Sequence, residues 1–455
     1  MRSLLLLLIF LGYTTIGIGV PFIATLGYVW VDLLRPQHLA WGILTSVPVA
    51  FVLFGSAFIG YLLFDRRSPP KVGALMIALA VFVFWVTMTT LWAEVPDPAW
   101  VKWDWASKVL FFAIFVPFVI RSRIQIEAFL LTFLFSVSGV AIAYGVKTLM
   151  TGGAGYGQKY ALNLGHFGLG ESSTMAVACV MLIPVIFYMA KHSLILRNIP
   201  ALKYLSLGLV FLFILATIGS HARTGLVAGA AVAGVYFLLS KRKMLFGIVT
   251  AFMVVLSIPF LTSDWSDRMQ TITTFEQDAS AAGRIGVWIW TLEYVASNPL
   301  GGGFDVYRIN SFDLPVVQVD ENGERSVVMM PKSSKAFHSN YFEVLGEHGI
   351  PGLLIYLVIL YLTVMGFWRL RKMEKQGLVP NWIGDLSTAL LIGTIGFLVG
   401  GAFVGIAFQP IFYHFASMAI ALQQYVRRLA EGEAEVPSKA APIAVPGRAY
   451  GWKMR

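Results

Sequence analysis

Charge is scarce in this chain. Of its 455 residues only 13% are Asp, Glu, Lys or Arg, while 57% are hydrophobic. Soluble domains carry about 25% charged residues, so an ordinary water-soluble fold is excluded. Cysteine is scarcer still. Cys179 stands alone inside an apolar run, so no intrachain disulfide forms and the redox compartment stays open. A compact carboxylate motif is also missing. Asp264 and Asp267, and Glu276 and Asp278, are scattered through one loop and read as ordinary loop charge, not as a metal pair. The expectation is no metal and no cofactor. "GGAGYG" at 152–157 has no strand before it and reads as a flexible outer loop, not a phosphate loop. No internal repeat is visible. The net charge of +10 does not point to nucleic acid, because basic residues collect at the cytoplasmic edge of membrane proteins.

What is abundant is apolar sequence in long runs, the mark of spans of about 20 residues. Runs fall at 4–33, 42–64, 72–92, 106–120, 128–149, 172–190, 201–219, 224–240, 244–261, 350–368, 386–404 and 409–426. The expectation is an all-α polytopic membrane protein with about 12 transmembrane helices. The first run is too long for a signal peptide and lacks a small-residue cleavage site. It spans once, or breaks near Gly17, Gly19 and Pro21 into two short spans that put the N-terminus on the other side.

The basic connections "DRRSPPK" (65–71), "RSRIQ" (121–125), "KHSLILRN" (191–198), "KRK" (241–243) and "RLRKMEK" (369–375) fall on one side of a twelve-span chain. The positive-inside rule makes that side cytoplasmic. Four regions follow: a transmembrane bundle over 1–261, one large outer loop over 262–341, C-terminal transmembrane helices over 342–428, and a tail over 429–455 whose composition predicts disorder. Within the loop, Ile285, Trp288, Ile289, Leu292 and Val295 recur at helical spacing before Asn298-Pro299. That predicts an amphipathic helix packed on the bundle or lying at the lipid interface. "NPLGGGF" (298–304) then reads as a helix stop and a tight turn.

Ionisable residues gather at the outer ends of the runs: Arg35, Lys108, Lys147, Glu171, His221, Arg223 and His338. Charge near hydrocarbon is costly and usually faces a cavity. Arg223 opens a span and Arg284 opens the loop helix. His338 precedes an apolar run and is followed by Ser339, Asn340 and Tyr341. An imidazole titrates near neutrality and is the usual general base. His348 and His414, single polar residues beside spans, read as structural.

Three segments in this order, "IGSHARTGLVAGAAVAGVYF" (218–237), "AGRIGVWIWTLEYVASNPLGGGFDVY" (282–307) and "HSNYFEVLGEHGIPGLLIYL" (338–357), resemble the O-antigen ligase and polymerase superfamily. "PFIATLGYVWVDLLRPQHLAWGI" (21–43) resembles its branch of O-glycosylation ligases beside exosortase systems. The resemblance implies a GT-C type glycosyltransferase in the bacterial inner membrane, with its site facing the periplasm. It would move a glycan from undecaprenyl diphosphate to a lipid, glycan or protein acceptor. Arg223 and Arg284 would grip the diphosphate and His338 would act at the acceptor, with Arg35, His221, Asn340 and Tyr341 in support. Relatives carry Asn or Asp where this chain has Glu171, so Glu171 stays outside the catalytic set. The competing readings are a repeat-unit polymerase, a transporter of lipid-linked glycan and a nonenzymatic scaffold. The ionisable groups sit at one face and not at a midplane site, which counts against the transporter.

Overall fold

A computed structural model describes residues 2–152, 169–239, 243–257, 279–319 and 325–432. The described chain is a helical bundle. It runs through α1 (Arg2–Gly19), α2 (Pro21–Leu34), α3 (Pro36–Leu39), α4 (Ile43–Ser46), α5 (Val49–Phe64) and α6 (Ala74–Leu91). Next come α7 (Pro96–Val119), α8 (Arg123–Thr151), α9 (Ser172–His192), α10 (Leu202–Gly219), α11 (Arg223–Leu239) and α12 (Lys243–Ser257). After α13 (Ala279–Ser297) and a two-stranded hairpin come α14 (Asn340–Lys375), α15 (Asn381–Gly401) and α16 (Pro410–Ala430). By length and composition seven of the described helices can cross a membrane: α1, α6, α8, α9, α10, α14 and α15. Three shorter apolar helices, α2, α5 and α11, join them.

The first apolar run takes the broken alternative. α1 ends at Gly19 and α2 starts at Pro21, where proline fits the first helical turn because it has no N–H to leave unpaired. The two helices turn back on each other. The Tyr13 and Trp30 rings lie 5.8 Å apart, and the Trp41 N–H donates to Ser3 Oγ at 2.9 Å. Residue 3 therefore stands at the level of residue 41, not at the opposite end of the bundle.

Four of the five basic connections meet at one end; the fifth, at 241–243, lies largely outside the described residues. Lys71 pairs with Glu431 at 2.7 Å, Arg121 reaches the Ser68 carbonyl, and Arg428 donates to the Ile120 carbonyl at 3.3 Å. Arg123 donates to the His192 carbonyl at 2.6 Å, while Lys191 and His192 each contact Asp385 at 2.6 Å. Glu374 packs against Gly384. Connections far apart in sequence thus share one face, which the alternation of spans requires.

The loop helix forms as α13, and Asn298 follows its last residue. Its apolar stripe divides in two. Val287, Thr291 and Val295 are buried, Val287 in a small core with Phe337 and Val306. Ile285, Ile289 and Leu292 are 41%, 51% and 55% exposed. A helix that packs on one ridge and bares a second apolar ridge suits the boundary between bundle and lipid. Beyond it, β1 (Ser311–Val319) and β2 (Arg325–Ser333) pair antiparallel, with Leu314 opposite Met330 and Val317 opposite Val327. This valine-rich hairpin adds a feature that the helical reading lacked. Residues 153–168, 240–242, 258–278, 320–324 and 433–455 lie outside the described residues, and with them Asp264, Asp267, Glu276, Asp278, most of the "GGAGYG" stretch and most of the tail.

Candidate functional site

The site grows from the junction between α13 and α14. Trp288, one turn beyond Arg284, donates its indole N–H to the Phe337 carbonyl at 2.8 Å. Its ring stacks on Phe342 with centroids 5.0 Å apart. The helix that carries Arg284 therefore holds the backbone just before His338 and a side chain just after it. The chain passes His338 in the left-handed region, at φ 51°. A residue with a side chain rarely adopts that conformation, and it persists only where neighbours enforce it. His221 (φ 53°) and Arg35 (φ 51°) share it. Three of the polar residues singled out in the sequence thus stand at strained positions at ends of helices.

Arg284 and His338 come together. Burial is the main reason the His338 imidazole is pushed down to about 4, and the charges of Arg284 and Lys335 add to it. The ring is therefore neutral at physiological pH and holds a lone pair. Lys335 itself is lowered by burial, then by Lys332 and Arg284, and its side chain lies against Gly283. Arg284 Nε is buried and makes no hydrogen bond among the described residues. Two cations crowded beside a half-buried ring are costly unless an anion shares them. Lys335 was not among the residues singled out in the sequence. It lies three residues before His338, and a basic residue there looks like ordinary loop charge until the hairpin folds it onto α13.

Arg223 is the first residue of α11, half-buried, next to the turn that carries buried His221. Its helix packs close to the others: Ala228 and Val177 lie against Gly400 of α15, and Asn340 lies against Gly401. That places Arg223 at the same end of the bundle as the start of α14. Asn340 and Tyr341 do not turn toward the imidazole. Asn340 Oδ1 accepts from the Ile406 N–H at 2.6 Å, and the Tyr341 hydroxyl donates to the Leu398 carbonyl at 3.0 Å. Both fix the start of α14 to the end of α15. Arg35 is buried at the α2–α3 junction, where its charge faces Asp32. Glu171 caps α9 by accepting from the Thr174 N–H at 2.6 Å, a structural task that accounts for its place.

A larger charged cluster lies beneath. Lys102 of α7, buried, donates to Glu343 at 2.8 Å and to Glu347 at 2.7 Å, with Asp305 at 3.9 Å. Glu347 also accepts from the Asp305 N–H at 2.9 Å, and Glu343 from the Ala407 N–H at 3.1 Å. Arg308 closes the cluster on Asp305 at 2.9 Å. Sequence reading missed it, although Glu343 and Glu347 at i and i+4 beside a span announce a buried partner. His348 is buried, with its Nδ1 2.7 Å from the Thr89 hydroxyl. His414 is buried 3.5 Å from Asp32.

The glycine turn completes the support. The Gly302 and Gly303 N–H groups donate to the carbonyls of Gly346 and Glu347 at 3.1 and 2.8 Å. Gly349 breaks α14 at φ 67°, ψ −168°. A side chain there would strike the Pro299 carbonyl and the Gly301 backbone. Two glycines that face each other allow the loop to seat against the break.

Residues 208–357, which contain Arg223, Arg284, His338 and both glutamates, match the Wzy_C family, described as O-Antigen ligase. That segment, about a third of the chain, is thus similar to O-antigen ligases. The match supports the O-antigen ligase superfamily, whose members are membrane glycosyl-transfer ligases and polymerases. Residues 1–194 match a family of unknown function, DUF5935. No curated protein matches the chain. Lys102 lies in the 1–194 segment and its carboxylate partners in the 208–357 segment, so the buried cluster ties the two matched segments together.

Proposed function

We propose that this protein transfers a glycan from a polyprenyl diphosphate to an acceptor hydroxyl at the outer face of the cytoplasmic membrane, with inversion at the anomeric carbon. The observation that carries the reading is the neutral His338 beside Arg284 and Lys335, in a segment that matches the O-antigen ligase family. As the glycosidic bond breaks, negative charge gathers on the diphosphate. Fixed guanidiniums stabilise that charge in the transition state without giving up a proton. Arg223 and Arg284 take this part, and Lys335 adds a third cation. On the other face of the sugar the acceptor oxygen bonds to the anomeric carbon as its proton passes to His338. The departing prenyl diphosphate keeps the electrons of the broken bond. A ring at about 4 is by itself a weak base. Bound diphosphate offsets the two cations and raises its basicity when the acceptor is in place.

The basic connections face the cytoplasm under the positive-inside rule, so the site faces the periplasm of a bacterial inner membrane. The arrangement supports a GT-C type transferase in which the cations do the work that a metal ion does elsewhere. Purified protein in nanodiscs, given a lipid-linked glycan donor and candidate acceptors, should release prenyl diphosphate as product forms, and activity should survive chelator. Loss of activity in chelator, restored by Mg²⁺ or Mn²⁺, would refute the metal-free mechanism. Glycan on lipid or protein marks a ligase; long polymer still on prenyl diphosphate marks a polymerase.

A further inference from the structure

We propose that Asn310 is a positioning residue for the diphosphate site: it fixes the peptide of Lys335 so that the lysine ammonium stands beside Arg284 before the donor arrives. The inference rests on the reading of Arg284 and Lys335 as cations for the donor's diphosphate. Asn310 directly precedes β1 and is 1% exposed. Its Nδ2 donates to the Lys335 carbonyl at 2.6 Å, and its Oδ1 accepts from the Lys335 N–H at 2.9 Å. Its backbone carbonyl accepts from the Ser334 N–H at 3.1 Å. An amide side chain can donate to one peptide and accept from it at once, which a carboxylate, an ammonium or a guanidinium cannot. The hairpin ladder ends at the pair of Ser311 with Ser333, and Asn310 closes it one step further.

What this clasp does follows from the turn beside it. Ser334 lies in the left-handed region at φ 53°, and its hydroxyl donates to the Arg308 carbonyl at 2.8 Å. The turn carries the chain out of β2 and lays Lys335 across α13. There Phe312 and Leu314 of β1 pack on Gly286, and the end of the Lys335 side chain lies on Gly283. Arg284 stands between these two glycines in sequence. Two cations side by side repel, and a lysine on its flexible stem would turn to water. The clasp on its backbone and the bare helix surface at Gly283 keep it in place. The lowering of Lys335 by burial, then by Lys332 and Arg284, agrees with a lysine held there. Cations fixed in advance stabilise charge as it develops on the diphosphate, with no rearrangement during the reaction.

The test is a cycle of variants in nanodiscs, read by the Kd for undecaprenyl diphosphate. Asn310→Ala should weaken binding by about tenfold, roughly 1.4 kcal/mol. On a Lys335→Ala background the same change should cost less than about twofold, because the two residues act as one unit. A residue that only braced the hairpin would weaken both backgrounds equally, and that result would overturn the proposal. Gly283→Ala reaches the same contact from the helix. Its methyl would stand 3.0 Å from Lys335 Cε and 3.1 Å from Nζ, so the end of the lysine must move. Alanine favours helix over glycine, so this variant should melt no lower than wild type and still lose affinity, and it decides the matter if Asn310→Ala does not fold. Affinity within about twofold of wild type in every variant that folds would overturn the proposal. Labelling of Lys335 with an amine-reactive reagent across pH needs no donor. In Asn310→Ala its titration should rise toward that of an ordinary lysine, about 10.4, and a Lys335 that titrates as in wild type overturns the proposal. If the wild type binds no prenyl diphosphate, the functional reading fails, and the titration then decides the role of Asn310 alone.

Discussion

At the scale of single residues, His338 joins two kinds of constraint. Its backbone is strained, and its half-buried ring lies beside Arg284 and Lys335. His338→Ala should reduce turnover by about 10²–10⁴-fold, the usual contribution of a positioned base. Donor binding should stay close to wild type, measured by titration with prenyl diphosphate. Collapse of donor binding instead would make His338 a diphosphate ligand. The lowered imidazole also fixes a sign for pH. A ring at about 4 stays neutral in the free enzyme while an ordinary histidine near 6.5 takes up a proton. kcat/KM should therefore show no loss from His338 between about pH 7.5 and 5.5, and an acid limb near 6.5 that disappears in the alanine variant would contradict this. Stability moves the other way. Below about 6.5 the unfolded chain binds a proton that the folded chain does not, so His338 favours unfolding increasingly as pH falls from 6.5 toward 4. The sequence made His338 legible because it stands just before a helix start; Arg284 lies inside α13, which begins at Ala279 and not at Arg284. Lys335 and the left-handed backbone were hidden, since both depend on the hairpin that folds residues 311–333 back onto α13.

At the scale of elements, the first two turns of α14 bear the site and need an anchor. Their helix is interrupted at Gly349, so the membrane span beyond the break cannot hold them by helix continuity alone. Lys102 supplies the anchor from α7, with Asn340 and Tyr341 bound to the other side. Lys102→Met leaves Glu343, Glu347 and Asp305 buried together without their shared cation. Breaking a buried ion pair from one side costs about 3–5 kcal/mol. The variant should melt lower in detergent and lose turnover because His338 shifts against Arg284. Adding Glu347→Gln should recover part of both, because one buried charge is removed. A double variant no more stable than Lys102→Met would show that Lys102 acts by some other contact. Helices were legible here from apolar period and from stop signals such as Asn298-Pro299. The face of α13 was not: the exposed ridge of Ile285, Ile289 and Leu292 is as apolar as the buried one, and hydrophobicity cannot tell lipid from protein.

At the scale of the whole molecule, the same ambiguity governs the first apolar run. Thirty apolar residues fit one tilted span or two short ones, and composition does not separate them. Pro21 and the pairing of Tyr13 with Trp30 decide for the hairpin. The hairpin changes the topology without moving any later element, since residues 35–38 stay at the end opposite the basic connections in either case. Only the N-terminus changes side. Gly60, near the end of α5, lies against the carbonyls of Gly17 and Ile18, so the hairpin's tip points to the basic end and Arg2 to the opposite one. Under the proposed orientation Arg2 faces outward against the positive-inside bias, but one residue is outweighed by the basic connections gathered at the other end. The chain offers a clean way to read this, because Cys179, its one cysteine, is fully buried and should be silent to a membrane-impermeant maleimide. In cells with a permeabilised outer membrane and an intact inner one, Arg2→Cys should label and Ser68→Cys should not; disruption of the inner membrane should expose Ser68→Cys. A single span would put positions 2 and 68 on the same side, and both would then stay unlabelled until that membrane opened.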